Sequence, residues 1–176
     1  MSAKVKLVAG AVFACLLLGA LVSAPANAWL LAPPKKKVYW GVSDTGDPAD
    51  FGEFSNALNK HPAVIQSFRT WGSDFDESIR RWQIARARPM IHISTAGPHG
   101  EVITPRGIAR GKGDGYLVDL NRIAAESRHV LYIRLMAEMN AHWNPYSAFD
   151  ASGRFRGASH STRAFRRAWR RVVIVV

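Results

Sequence analysis

The chain has almost no cysteine, and this scarcity limits the kinds of site that it can build. Its one cysteine, Cys15, lies within an uncharged apolar run from Leu7 to about Val22. If that run is removed on secretion, the mature protein has no thiol, no disulfide and no metal ion held by cysteine. The histidines show no spacing typical of a metal site. We therefore expect neither a metal nor another cofactor.

Acidic side chains are also scarce. The chain has 13 Asp and Glu residues against 24 Lys and Arg residues, so its formal net charge is +11. This balance suits acidic partners such as wall polymers, membrane headgroups or nucleic acid. A basic surface without a specific partner is the simpler interpretation, because most of the excess falls on the solvent faces of two predicted helices. No RNA- or DNA-recognition motif accompanies the charge, so we expect no nucleic-acid partner.

The N-terminus has the pattern of a secretory signal peptide. Lys4 and Lys6 precede the apolar run, and the triplet A-N-A at 26–28 supplies a small-residue cleavage site before Trp29. A single-span membrane anchor is the alternative, because the run approaches the length that a spanning helix needs. Two glycines and a proline favour cleavage. We predict a signal peptide at 1–28, a secreted or cell-surface protein, and no membrane contact after cleavage.

From residue 38 onward, strand-like and helix-like segments alternate. The preceding stretch, 29–37, is a linker rich in proline and lysine without periodicity. The last segment ends in V-V-I-V-V, yet its apolar residues recur at helical spacing with arginines on the other side, which predicts a helix. The predicted strands are 38–43, 63–69, 90–94 and 129–136, and the predicted helices are 47–58, 73–86, 114–127 and 161–176.

Four consecutive strand-helix units predict an α/β fold with parallel strands joined by right-handed crossovers. A doubly wound open sheet and part of an eight-stranded barrel both satisfy this pattern. No strand runs directly into a G-x-G-x-x-G turn, which is the usual signature of the doubly wound nucleotide-binding sheet. A complete barrel needs about 250 residues, and the segment 38–176 supplies roughly half of them.

The stretch Y-I-R-L-M-A-E-M-N-A-H-W-N-P-Y-S, residues 132–147, carries the candidate functional groups. Ligands of parallel α/β folds meet the carboxyl ends of the strands, and Glu138 lies just after the fourth predicted strand. Asn140 can donate and accept hydrogen bonds, while Trp143 and Tyr146 offer flat faces to a sugar ring. A carboxyl group in an apolar, partly closed setting suits general acid catalysis, so Glu138 is the candidate proton donor.

Structural roles compete with functional ones for several of these residues. Glu138 can pair with Arg134, four residues earlier on the same strand face, in an ion pair without a catalytic role. Trp143 can belong to the core. His92, at the end of the third strand, and Trp71, after the second, lie toward the same rim as candidate sugar contacts. A backbone partner for His92 is the competing interpretation.

The segment R-L-M-A-E-M-N-x-x-W at 134–143, followed by F-R-R-A-W-R-R-V-V at 165–173, resembles glycoside hydrolase family 26, the β-mannanase-like retaining hydrolases. Y-W-G near the start and G-D-x-Y before the third helix are also similar to that family. The resemblance covers roughly 38–176 and implies a (β/α)8 TIM barrel, of which the chain holds the first four units. It further implies endo-acting cleavage of a β-linked polysaccharide of the β-1,4-mannan type, with Glu138 as acid/base and a sugar-binding role for Arg134.

The chain departs from the family pattern in two ways. A retaining hydrolase needs a second carboxylate as nucleophile, and the family supplies it from strand seven, which the chain does not reach. Asp44, Asp74 and Asp114 are the other carboxylates near predicted strand ends or loops, and none matches that nucleophile; Asp114 is expected to cap its helix. Ala137 stands where the mannanases have a His that contacts the sugar, which puts mannan specificity in question.

Three functions remain open. The first is a secreted glycoside hydrolase, present as an N-terminal half and without its covalent step. The second is a non-catalytic carbohydrate or cell-wall binding remnant of the same half barrel, which the basic surface and the aromatic cluster at 142–146 favour. The third is a basic protein that binds anionic membranes through 161–176, which leaves Glu138 without a purpose. A half barrel exposes two sheet edges, so self-association is also expected.

Overall fold

The computed structural model describes residues 32–128 and 131–176. The predicted signal peptide and the first residues of the linker lie outside this part of the chain. A short first unit ends at Val38, and its described portion contains a turn in which the Lys37 N–H donates to the Pro34 carbonyl at 3.0 Å. The second unit, Tyr39–Val176, contains all the helices and strands described below.

The second unit alternates strands and helices, as the apolar periodicity predicts. The hairpin β4-β5 and the short helix α3 fall between the third predicted strand and the third predicted helix and were not anticipated. The elements are β1 (Gly41–Ser43), α1 (Pro48–Ala57), β2 (Val64–Thr70), α2 (Asp76–Ala85), β3 (Arg88–Ser94), β4 (Ala96–Gly97), β5 (Gly100–Glu101), α3 (Pro105–Ala109), α4 (Asp114–Ser127), β6 (Tyr132–Leu135) and α5 (Thr162–Val175).

The main sheet has four parallel strands in the order β1-β2-β3-β6. Alternate residues of the central strands, Ile65 and Ser67 in β2 and Ile91 and Ile93 in β3, are buried under the helices. The sheet order follows the chain order without reversing. The described sheet therefore has no topological switch point of the kind that doubly wound folds use for ligands.

The core lies between this covered face of the sheet and helices α2, α4 and α5. In α4, an apolar stripe faces the core: Leu117 and Leu120 are fully buried, and Ile123 packs against the same core. The buried indole N–H of Trp82 donates to the Ser67 hydroxyl at 3.0 Å, so both polar groups have a partner. The buried apolar side chains from these elements include Ile65, Ile91, Ile93, Leu135, Trp82, Ala85, Leu117, Leu120, Ala168 and Val172.

Side-chain caps define three of the helix starts. Asp47, Thr104 and Ser161 each accept a hydrogen bond from a backbone N–H in the first turn of α1, α3 and α5, respectively. The predicted cap by Asp114 is wrong. Gly113 is the N-cap of α4, and the Asp114 carboxylate instead forms an ion pair with Arg171 of α5.

Helix α1 is the least embedded helix of the fold. Its apolar face is only partly covered, because Phe54 is 38% exposed and Leu58, just past the helix, is 51% exposed. Phe51 packs against the core and meets the His61 ring edge-on at 5.4 Å. A cleft of about 480 Å³ separates α1 from α2 and the end of β1. Of the helices within 32–128 and 131–176, none is long and apolar enough to cross a membrane.

Candidate functional site

The second face of the sheet carries polar and aromatic side chains near the carboxyl ends of its strands. The strand register places Phe68, His92 and Arg134 in one row across β2, β3 and β6. The Phe68 ring is 51% exposed and meets His92 edge-on at 5.2 Å. Arg134 donates from Nη1 to the Gln66 side-chain oxygen at 3.3 Å. This row therefore combines an aromatic ring, an imidazole and a guanidinium beside the strand ends.

Glu138 lies three residues beyond β6 and is presented by an irregular backbone. Met136 and Glu138 have φ values of 47° and 55°, the left-handed conformation that few non-glycine residues adopt. Such residues cost on the order of 1–3 kcal/mol each and persist where surrounding contacts hold them. The chain leaves the strand direction at this point, so the Glu138 side chain is directed by the turn rather than by the pleat of β6.

Both the backbone N–H and the backbone carbonyl of Ala137 form hydrogen bonds with side chains, and these bonds fix the backbone next to Glu138. The Ala137 N–H donates to Nε2 of His92 at 3.3 Å, and the Tyr146 hydroxyl donates to the Ala137 carbonyl at 2.6 Å. The side-chain amide of Asn144 donates to the Glu138 carbonyl at 3.0 Å. Three side chains thus fix the backbone on which the candidate acid stands.

The Glu138 carboxylate contacts an exposed tryptophan. Nε1 of Trp143 donates to Oε2 of Glu138 at 3.3 Å. Trp143 is 66% exposed, and the edge of its ring meets His142 at 5.1 Å between ring centroids. A carboxylate beside an open aromatic face can exchange a proton with a sugar that stacks on the ring. Trp143 is therefore placed as a surface aromatic and not as a core residue.

The contacts of His92 require its neutral form. Because Nε2 accepts the Ala137 N–H, we assign the ring proton to Nδ1. Burial lowers the pKa of His92, the Arg134 guanidinium lowers it further, and Glu138 acts in the opposite direction. Nδ1 is buried and has no hydrogen-bond partner in the part of the chain that the structure describes. The competing interpretation of His92, a backbone partner, is thus confirmed, while its role as a sugar contact stays a prediction.

The competing structural interpretation of Glu138, an ion pair with Arg134, is wrong, and so is the expected apolar setting of its side chain. No ion pair joins Arg134 and Glu138 in the described chain, because the left-handed turn takes Glu138 off the strand face and Arg134 reaches Gln66 instead. The Glu138 side chain is also exposed rather than enclosed in an apolar setting. A bound ligand would therefore have to exclude water from the carboxyl group.

Two predicted sugar platforms are buried instead. Trp71 is 6% exposed and stacks obliquely on Tyr116 at 5.2 Å. Gly113, at φ 136°, makes room for it, because a Cβ there would lie 2.8 Å from the Trp71 indole nitrogen. Tyr146 is 2% exposed, and its hydroxyl holds Ala137 rather than a ligand. Large rings bring much apolar area to a core, which explains why both turn inward.

The predicted substrate-binding amide, Asn140, is not the amide that holds the backbone of Glu138. Asn140 is exposed in the loop two residues after Glu138, whereas Asn144, which was not predicted, bonds to the Glu138 carbonyl. Phe68 was missed as well. Its signal lies in the period-two pattern of β2, since burial of Ile65 and Ser67 leaves Phe68 on the opposite face.

Of the remaining candidate carboxylates, Asp74 is exposed and accepts a local hydrogen bond from the Asp76 N–H at 3.3 Å, while the other two are bound by arginines. Asp44, after β1, accepts from Nε of Arg81 at 2.7 Å and from the Ser67 hydroxyl at 2.8 Å. Burial raises the pKa of Asp44, but these hydrogen bonds and one from a backbone N–H outweigh it and hold the pKa below its ordinary value. Asp44 stands three strand spacings, about 14 Å, from β6. Asp114 is bound by Arg171.

Among the residues that the structure describes, no group of three or more His, Cys, Asp or Glu side chains could hold a metal ion. Comparison of the chain with models of known protein families gives no match. A search of curated proteins likewise finds no relative with significant similarity. The functional interpretation of this site therefore depends on its residues and their geometry.

Proposed function

We propose that this chain forms part of a secreted glycoside hydrolase that acts on a β-linked polysaccharide of the β-mannan type, with Glu138 as general acid/base. One observation carries the proposal. At the carboxyl edge of a parallel sheet, a carboxylate on a fixed backbone accepts a hydrogen bond from an open tryptophan ring, Trp143. Catalytic residues of (β/α)8 enzymes come from this edge.

The sheet topology supports a (β/α)8 barrel as the parent fold. The strand order proceeds in one direction, and helices pack against the face that carries Ile65, Ile91 and Ile93. The opposite face carries rows of side chains from successive strands, as the interior of such a barrel does. In this proposal, the four strands are the first half of the barrel, and Phe68, His92 and Arg134 point into it.

The contacts of Glu138 suit the proton transfers of a retaining mechanism. Glu138 would protonate the glycosidic oxygen as that bond breaks, and then take a proton from the water that cleaves the glycosyl-enzyme. The Trp143 N–H occupies Oε2, which leaves Oε1 to carry the proton. The mechanism also needs a nucleophilic carboxylate about 5 to 5.5 Å away. Asp44 and Asp114 are bound to arginines, and this role stays unassigned.

Hydrolysis of β-glycans by the complete secreted enzyme, in which strands beyond β6 supply the nucleophilic carboxylate, tests the proposal. We expect release of reducing ends from β-mannan, and a fall of about 10²–10⁴-fold in the rate for Glu138→Gln, the range that a general acid/base contributes. Glu53→Gln is the matched control, because Glu53 is an exposed glutamate on α1. A wild-type protein that cleaves no β-glycan, or equal rates for both variants, would contradict the proposal.

Carbohydrate binding without catalysis is the second candidate. It is favoured by the 66% exposure of Trp143 and by the engagement of Asp44 and Asp114 with arginines. This candidate function requires that the protein be retained on insoluble β-glycan and that Trp143→Ala abolish the retention. The control variant Phe54→Ala, which removes an exposed ring on α1, should leave the retention unchanged. Absence of retention on every β-glycan would rule it out.

A further inference from the structure

Helix α5 presents a stripe of arginines to solvent. Arg163, Arg166, Arg167 and Arg170 follow the spacing i, i+3, i+4 and i+7, which places them on one face of the helix. All four are exposed, while the opposite face buries Ala164, Ala168 and Val172 in the core. The stripe is therefore the solvent side of a helix whose other side is fixed.

A second group of arginines stands across a groove from this stripe. Arg106 in α3 and Arg110 at its end line, with Arg163 and Arg167, a groove of about 330 Å³. A neighbouring groove of about 500 Å³ is lined by Arg163 and Arg167 together with Arg166 and Arg170. The two grooves share Arg163 and Arg167 as lining residues. Together we call them the arginine groove; α3 and α5 line the first part, and α5 alone lines the second.

The arginine groove has no acidic residue opposite its charges. In the described part of the chain, none of its six arginines forms an ion pair with Asp or Glu. Arg171, the next arginine along α5, does pair with Asp114, and Arg81, Arg122 and Arg154 also have carboxylate partners. Like charges four residues apart destabilise a helix. The arginines of the cluster therefore repel one another and destabilise the fold, and no carboxylate among the described residues offsets this repulsion.

We propose that the arginine groove binds an acidic polysaccharide through its carboxylate or sulfate groups. The planar guanidinium matches such oxyanions with two parallel hydrogen bonds, which a lysine cannot do. From Arg163 to Arg170 the helix rises about 10 Å, so a linear chain along α5 meets successive charges. The proposal concerns a surface other than the Glu138 site and does not depend on the hydrolase function.

The shape and lining of the groove favour this partner over two other polyanions. A flat membrane would meet the outer ridge of α5, but the groove has a second wall that bears Arg106 and Arg110. Single-stranded nucleic acids bind proteins largely by stacking bases on aromatic side chains. The groove lining contains no aromatic ring, and Phe165 and Trp169 pack against the core instead.

Titration of the full chain with two probes, heparin and polygalacturonate, tests the proposal. We expect binding at low salt that weakens as salt is raised, and no binding of neutral dextran through this groove. The double variant Arg163→Gln/Arg167→Gln should raise Kd at least about tenfold, the loss expected when two charge-assisted contacts are removed. Lys60→Gln/Arg80→Gln, which removes two charges from other surfaces, should change Kd less than about twofold.

Each alternative explanation of the binding predicts a different experimental result. Equal weakening in the groove variant and the Lys60→Gln/Arg80→Gln control would show that net charge alone drives binding, and would overturn the proposal. Tighter binding to duplex DNA or to vesicles of anionic phospholipid, dependent on the same arginines, would reassign the groove to that partner. Circular dichroism confirms that each variant is folded, and Arg166→Gln/Arg170→Gln provides a second groove variant if the first unfolds.

Discussion

At the scale of single residues, the position of Glu138 depends on groups that contact the backbone beside it. His92 and Tyr146 hold the two polar atoms of the Ala137 peptide, and Asn144 holds the Glu138 carbonyl. Removing one of these side chains should therefore disturb the site without touching the carboxylate. They are positioning residues for Glu138, since none of them contacts its carboxyl oxygens.

Titration of His92 should destabilise the fold below neutral pH. Because its folded-state pKa is lowered, the unfolded chain binds the proton first, and stability falls as the pH drops below about 6.5. His92→Gln removes this titration while keeping an acceptor for the Ala137 N–H. We expect urea unfolding at pH 7, 6 and 5 to show a smaller loss for the variant. Identical losses in both proteins would contradict this role.

The hydroxyl of Tyr146 should matter more than its ring for the site. Tyr146→Phe keeps the buried ring but removes the 2.6 Å hydrogen bond to the Ala137 carbonyl. The expected cost is about 1–2 kcal/mol in the free energy of unfolding, together with weaker glycan binding. Denaturant unfolding and affinity electrophoresis measure the two effects. Unchanged binding in a destabilised variant would limit Tyr146 to a structural role.

The residues of the site show why sequence reasoning succeeded only in part. Glu138 and Trp143 were expected together because both follow a strand end, and they are in contact. The ion pair with Arg134 failed because Met136 and Glu138 adopt left-handed backbone without a glycine to signal it. Nothing in the local pattern separates the exposed ring of Trp143 from the buried ring of Tyr146, since burial is decided by distant contacts.

At the scale of elements, β1 and α2 are joined by a buried ion pair between Asp44 and Arg81. The two side chains are 5% and 9% exposed and lie 2.7 Å apart. Strands and helices were predicted well because periodicity and caps are local. The β4-β5 hairpin and α3 were missed because their runs of two to five residues are too short to show a period. The Asp44–Arg81 pair spans 37 positions and has no local signal.

Breaking this pair from one side should be costly. Arg81→Met leaves a buried, unpaired carboxylate, and we expect a loss of about 3–5 kcal/mol at neutral pH. The double variant Asp44→Asn/Arg81→Met should recover part of that loss, because no charge then remains buried. Urea unfolding of the wild type, both single variants and the double variant measures the coupling. Additive losses would show that the two groups do not interact.

The decline in the free energy of unfolding at acid pH should depend on the same pair. The pKa of Asp44 is held below its ordinary value, so its contribution is complete above about pH 4 and is lost as the pH falls through the folded-state pKa. Asp44→Asn has no such titration. Its free energy of unfolding should therefore decline less steeply than that of the wild type in acid, and a parallel decline would contradict the assignment.

In the whole molecule, the parallel sheet has helices on one face and the row of Phe68, His92 and Arg134 on the other. Its outer strands are β1 and β6, and the self-association expected of exposed sheet edges stays a prediction. Part of the basic surplus seen in the composition lies at the arginine groove, whose six arginines have no carboxylate partner within the described residues. The chain thus has two candidate binding surfaces, one glycan site at Glu138 and one anionic groove at α5.

The dependence of the Glu138→Gln defect on the leaving group decides whether Glu138 is the general acid. Cleavage of a polysaccharide requires protonation of the glycosidic oxygen. The dinitrophenolate of a dinitrophenyl glycoside is a stable anion and leaves without protonation. The measurement is the ratio of kcat/KM between wild type and variant on β-mannan and on a dinitrophenyl β-mannoside. We expect a loss of about 10²–10⁴-fold on the polysaccharide and a far smaller loss on the activated substrate. Equal losses on both substrates would contradict the assignment of Glu138 as the general acid.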